Sequence, residues 1–223
     1  MSNSDSTVTH RERFRRCMHY QTVDRIPHWE FGYWNECFEK WHTQGLPKHL
    51  NSNEAVESYF GCEHIYGLPD PVGLMPPFER EVLEDRSETQ LVKNEDGVIA
   101  EVYTSGTSTI PHYLEFPIKN RKTWEEFKER LDPNNPNRYA YDIEKIKAEA
   151  RLSTDPVCIN IGSMFGRLRD WTGFEQICYL IYDDRDLVEE MVEHMCQLVL
   201  RVIEPLAQEV EIDAGWGWED ICF

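Results

Sequence analysis

The chain has 223 residues, a hydrophobic share of 40% and a formal net charge of −18. That is apolar enough to bury a core and rules out wholesale disorder, and the acid excess argues against nucleic acid or an anionic membrane surface as partner, since either needs a basic face. No run approaches the roughly 18 apolar residues that span a bilayer, the opening MSNSDSTVTHRERF is polar rather than signal-like, and a cytoplasmic protein is expected.

A first helix is signalled by Thr9 with Glu12 three residues on, a capping box, and by Phe14, Cys17 and Met18 on one stripe up to about Tyr20. The turn Asp24-Arg25-Ile26-Pro27 leads into a strand-like run, His28 to Gly32. Helices are predicted over 35–44 and 53–60, then a short strand over Cys62 to Tyr66. Residues 78–104 are rich in alternating and β-branched residues around an Asp96-Gly97 hairpin signal, and read as a β-meander inserted into an α/β chain.

Beyond the meander, Thr123 with Glu126 predicts a capped helix, and a further helix runs from about Tyr141 to Leu152. Pro156 to Ile161 is the clearest buried strand, breaking at Gly162-Ser163. Thr172 with Glu175 predicts another cap, Asp184 or Asp186 opens a long helix to about Glu209 with Pro205 inside it, and a last strand runs from Val210 to Trp218. Helices between strands imply crossovers and a mainly parallel sheet. No glycine-rich phosphate motif follows any strand, and a full (β/α)8 barrel needs about 250 residues, so a barrel over this chain is an incomplete one.

The seven cysteines are odd in number and scattered without a CxxC pair, which predicts reduced thiols rather than a disulfide framework or a zinc ribbon. Cys62 with His64, and Cys37 with His42, have poor spacing for zinc. No metal ligand is assigned.

The opening THRERFRRCMHYQTVDRIPHWEFG resembles the start of the uroporphyrinogen decarboxylase superfamily, in which an amphipathic helix leads through a D-R-x-P turn to the first barrel strand. FEREVLEDRSETQLVKNEDGVIAEVYTSGTSTIPHYLEFPIKNRKTWEEFKERLDP and GSMFGRLRDWTGFEQICYLIYDDRDLVEEMVEH are similar to its methyltransferase-like branch. The resemblance implies a single partial TIM-barrel domain over 1–223, covering the N-terminal and middle part of a longer barrel, with the meander as its insertion. It also implies methyl transfer to or from a thiol or other small molecule, a corrinoid protein as partner, and zinc held by ligands beyond Phe223. A homodimer is compatible with it.

The alternatives are a uroporphyrinogen decarboxylase of porphyrin biosynthesis and a non-catalytic ligand-binding barrel. The decarboxylases carry an R-Q-A-G-R loop after the first strand, whereas this chain reads HWEFGYW, without the arginines and with Glu30 in their place. An octa-acid beside an acidic loop lacks the cations that buried anions need.

Asp70 stands seven residues after Glu63, as a strand-end aspartate does in the decarboxylases, and reads either as catalytic or as a turn residue between two prolines. Glu219 and Asp220 match the acidic position at the end of the family's later strand and read as catalytic carboxylates, one of them raised in pKa if they repel, or as a helix-capping turn. Arg167, Arg169 and Asp170 follow the Gly162 turn and read as anion-binding or as a surface ion pair. Trp29 and Glu30 close the first predicted strand as substrate contacts. Trp34, Trp216 and Trp218 join Trp29 as lining for a planar ligand or as packing.

Overall fold

The computed structural model describes residues 8–105 and 110–219. In chain order the elements begin with α1 (His10–Met18), α2 (Asn35–Thr43), α3 (Asn53–Phe60), β1 (Tyr66–Gly67), β2 (Glu81–Asp85), β3 (Thr89–Lys93), β4 (Ile99–Tyr103) and β5 (His112–Glu115). They continue with α4 (Arg121–Lys128), α5 (Ile143–Leu152), β6 (Val157–Gly162), α6 (Gly166–Thr172), α7 (Phe174–Asp183), α8 (Arg185–Glu209) and β7 (Ala214–Gly217). The chain divides into two compact units. The first comprises Met1–Leu68, Ile143–Ile159 and Glu209–Gly215, the second Pro69–Asp142, Asn160–Gln208 and Trp216–Phe223.

In the first unit α1 starts where the sequence predicts, with the Thr9 hydroxyl accepting from the Glu12 amide at 3.1 Å. The Glu12 side chain goes to Arg16 instead of completing a box. The arginines of α1 are structural. Arg13 is 5% exposed and donates to Asp24 and to Glu63 Oε1, the latter at 2.5 Å. Arg25 meets the same Glu63 oxygen at 2.5 Å. Arg11 and Arg15 both grip the buried Asp213, whose Oδ2 also accepts from the Val157 amide. Phe38, Leu46 and Val56 form a small apolar core with Tyr33 and Trp41 against it. Cys158 is buried, and burial followed by the Asp213 charge pushes its thiol up to about 11, so it serves as packing.

The second unit holds the larger core. Leu187, Met191, Met195, Leu198 and Val202 recur at helical spacing along α8 and share a buried cluster with Trp124, Phe127, Leu168 and Trp171. Its four-stranded sheet has the order β2-β3-β4-β5, each neighbouring pair antiparallel.

A three-stranded sheet has the order β1-β6-β7. β1 and β6 are parallel, Tyr66 opposite Val157 and Gly67 opposite Cys158. β7 runs the same way as β6: the Asp213 amide donates to Val157 O at one end, and at the other a Cβ on Gly217 would come within 2.6 Å of Gly162 O. The fold is therefore mixed α/β, and among the described residues neither sheet closes into a barrel.

Several expectations are corrected. Among the described residues antiparallel strands outnumber parallel ones, because the meander gains a fourth strand, His112–Glu115. His28 to Gly32 is not a strand: Gly32 has φ +110°, the Phe31 side chain is fully exposed, and His28 O takes one isolated bond from the Glu63 amide. The Cys62 to Tyr66 strand shrinks to Tyr66–Gly67. Asn120, not Thr123, caps α4, with Thr123 closing the box from inside. Thr172 is the last residue of an unpredicted helix, α6, and its hydroxyl returns to Leu168 O. Among the described residues no helix is long and apolar enough to cross a membrane.

Candidate functional site

In parallel α/β sheets, chemistry gathers where the strands end. In the second unit that zone holds Asp70, Asn160, Ser163 and Glu219, which follow or finish β1, β6 and β7. Asn160 is 7% exposed. Its amide nitrogen donates to Asp70 Oδ2 at 2.6 Å, and its amide oxygen accepts from the Gly162 backbone at 2.8 Å. Both ends of the carboxamide are thus used, which fixes its orientation. The other Asp70 oxygen accepts from the Val72 amide at 3.3 Å, closing an Asx turn. Asp70 thus shapes the turn, as the structural reading expects, and its residue is exposed at the strand end.

Glu219 is bound to the start of α6. Its Oε1 accepts from the Ser163 hydroxyl at 2.5 Å and the Phe165 amide at 3.0 Å, and its Oε2 from the Gly166 amide at 3.3 Å. This close approach requires glycine at 166, where a Cβ would lie 2.5 Å from Ser163 Oγ and 2.6 Å from the Trp218 ring. Burial pushes the Glu219 carboxyl up, but the Ser163 hydroxyl and the amides of Phe165, Met164 and Gly166 outweigh it and hold the group below the usual range. Glu219 is an ionised acceptor, so the expectation of a raised, proton-donating acid does not apply to it. Asp220 lies outside the described residues. A recess of about 390 Å³ opens beside Glu219, between Ile161, Met164 and Trp218.

A larger cavity of about 530 Å³ lies between the β3–β4 turn, β5 and the α6–α7 corner. Its aromatic walls are Tyr113, Phe116, Phe174 and Trp218, and its charged lining is Asp96, Arg169 and Asp170. Arg169 donates to Asp170 Oδ1 at 3.1 Å. The Arg167 and Arg169 guanidiniums each lie 5.6 Å from the Trp218 ring centre. Burial raises the Asp170 carboxyl despite the bond from Arg169 and the charges of Arg169 and Arg167. Asp96 accepts from Trp171 Nε1 at 3.2 Å. Of the predicted trio, Arg169 and Asp170 line the cavity, while Arg167 supports Trp218.

Trp29 and Glu30 lie in the first unit, in coil rather than at a strand end. Trp29 stacks on Phe14 with ring centres 5.1 Å apart, the packing alternative, and Glu30 is exposed. Trp34 and Trp216 are both about half exposed. The sequence reading missed Asn160 and Ser163, although a lone polar residue inside VCINIG and the serine at the strand break were visible. Among the described residues no group of three or more His, Cys, Asp or Glu could hold a metal ion. The zinc that the resemblance implies would be held by ligands outside the described residues, and nothing below depends on it.

No protein-family model matches the chain, and no curated protein matches it significantly. Among solved structures it is similar to a methyltransferase from Methanosarcina mazei, at 11% identity and a TM-score of 0.42, over 90% of this chain and 56% of that one. The chain thus spans little more than half the length of that protein.

Proposed function

We propose that the chain is a methyltransferase-type member of the uroporphyrinogen decarboxylase superfamily, a partial (β/α)8 barrel acting on a small molecule or thiol in the cytoplasm, with a corrinoid protein as its partner. The observation that carries this reading is the strand-end pair in the second unit. Asp70 is held by Asn160 and Glu219 by Ser163, so both carboxylates are anchored to one strand, β6, and its following turn. Positioned polar groups at the carboxyl ends of parallel strands are where this architecture holds substrates, and an aromatic-walled cavity lies in the same unit. The sequence resemblance of the opening helix, the D-R-x-P turn and the 162–194 stretch supports the family and the branch proposed.

In this reading Asn160 fixes Asp70, Ser163 fixes Glu219, and Arg169, Asp170 and Trp218 meet the substrate. The acidic zone disfavours the octa-acid substrate of the decarboxylases.

The test is methyl transfer from methylcobalamin to a small thiol, with the methyl thioether measured by mass spectrometry. Formation above the uncatalysed background, lowered at least about tenfold by Asp70→Asn, supports the reading, since a positioned polar group of this kind contributes that much or more. Carbon dioxide release from uroporphyrinogen would replace it with the decarboxylase. Neither reaction from a chain with a folded circular dichroism spectrum would leave a ligand-binding barrel.

A further inference from the structure

We propose that the cavity bounded by Asp96, Tyr113, Arg169, Asp170, Phe174 and Trp218 binds a small alkylated ammonium compound. The inference rests on the reading that Arg169, Asp170 and Trp218 belong to the functional site, and it names the class of ligand that site takes. At about 530 Å³ the cavity has the size of a small-molecule site. Its walls and its charges point the same way.

The walls are aromatic on several sides. Tyr113 and Phe116 have ring centres 6.4 Å apart and tilted by 42°, so they form an angled corner rather than a stack. Phe174 at the start of α7 is 66% exposed and Trp218 closes another side. Gly173 lets the Phe116 ring pack against the α6–α7 corner, since a Cβ there would fall 2.6 Å from that ring. Aromatic faces turned to a cavity attract a cation through the ring quadrupole.

The charges favour a cation too. Within the lining Asp96 and Asp170 stand with one guanidinium, Arg169, which is already paired with Asp170 and set against Trp218. Arg167 is not part of the lining but lies over the same ring and acts on Asp170. An anionic ligand would meet two carboxylates in a chain of net charge −18. A bare ammonium would surrender strong hydration to an apolar wall. An alkylated ammonium surrenders little hydration, spreads its charge over methyl groups and fits against ring faces, so it matches carboxylates and aromatics together.

The test compares choline with 3,3-dimethyl-1-butanol, which has the same shape with carbon in place of nitrogen, by isothermal titration of the full chain at neutral pH. Choline is expected to bind at least about tenfold more tightly, the gain of a few ring faces and one carboxylate. Asp170→Asn should weaken choline at least about fivefold and leave the alcohol unchanged. Phe174→Leu, at an exposed position, should weaken choline about threefold by removing the ring face while keeping the apolar surface. Equal affinities, tighter binding of the alcohol, or no heat with choline overturns the inference. Methyl transfer without choline selectivity removes this inference and leaves the proposed function. Choline selectivity without methyl transfer does the reverse.

Discussion

Glu219 gives the sharpest test of how the strand-end zone is built. Three donors converge on its carboxylate, the Ser163 hydroxyl and the amides of Phe165 and Gly166. Truncation by Glu219→Ala leaves all three without their acceptor at a half-buried position. A hydrogen bond to a charged group is worth about 1.5–3 kcal/mol, and water recovers part of the loss at the open side, so the expected cost is about 2–3 kcal/mol. For a chain of this length that corresponds to a fall in Tm of about 4–12 °C. Glu219→Gln keeps an acceptor oxygen and loses the charge at the start of α6, and should cost about 1 kcal/mol.

The pH dependence has a definite sign. The folded-state pKa of Glu219 lies below its ordinary value of 4.5, so its contribution is complete above the unfolded pKa and is lost as pH falls through the folded one. Urea unfolding of wild type, Glu219→Ala and Glu219→Gln should show the largest gap near pH 7 and a shrinking gap below about pH 4. Ser163→Ala in a double-mutant cycle should couple to Glu219→Gln by about 1 kcal/mol. A gap under about 0.5 kcal/mol at pH 7, the size of an ordinary surface change, or one that widens in acid, would show that Glu219 does not cap α6.

Three further outcomes follow. Glu63→Ala strips the buried partner of Arg13 and Arg25 and should cost about 3–5 kcal/mol in urea unfolding, a cost under about 1 showing that the arginines rehydrate freely. Gly173→Ala forces φ +82° on a residue with a side chain and drives a Cβ into the Phe116 ring, so a loss of about 1–3 kcal/mol is expected, and a neutral result would mean the α6–α7 corner relaxes. Burial opposes ionisation of Glu190, but hydrogen bonds from Trp124, Arg121 and Lys128 prevail and bring it down to about 2. Its stabilisation is therefore complete above the unfolded value of 4.5 and fades towards pH 2, and Glu190→Gln should flatten that acid limb in a fluorescence-monitored titration. An unchanged limb would place the acid sensitivity elsewhere.

What the sequence disclosed was local. Thr9 before a helical stripe, Asp96-Gly97 in a hairpin and the 53–60 helix depend on neighbours within a few residues, and each is where the pattern put it. The Asp96-Gly97 turn works because Asn94 closes it, accepting from the amides of Asp96 and Val98 while Gly97 takes φ +81°. What stayed hidden was non-local. No window of sequence around Gly166 announces a helix, because the acceptor for its first amides arrives from Glu219, more than fifty residues later. The strand predicted at Cys62 to Tyr66 fails for a related reason. Glu63 is committed to Arg13 and Arg25, and its amide to His28 O, so the ladder with β6 begins only at Tyr66.

The same distinction decides how the acidic residues are to be understood. Counting carboxylates in the sequence suggested proton donors, and spacing alone could not say which side chains would hold them. In the fold, each strand-end carboxylate is an acceptor held by a neutral group of the β6 end, Asp70 by a carboxamide and Glu219 by a hydroxyl. A donor that carries no charge fixes a carboxylate without cancelling it, which leaves negative potential where the parallel strands end. Asp170 in the adjoining cavity differs, since burial lifts its pKa even with Arg169 beside it. Two carboxylates anchored by neutral donors and a third that burial makes harder to ionise form an acidic zone. Such a zone favours a ligand of positive or neutral character, and a polyanion would have to displace the hydrogen bonds that build it.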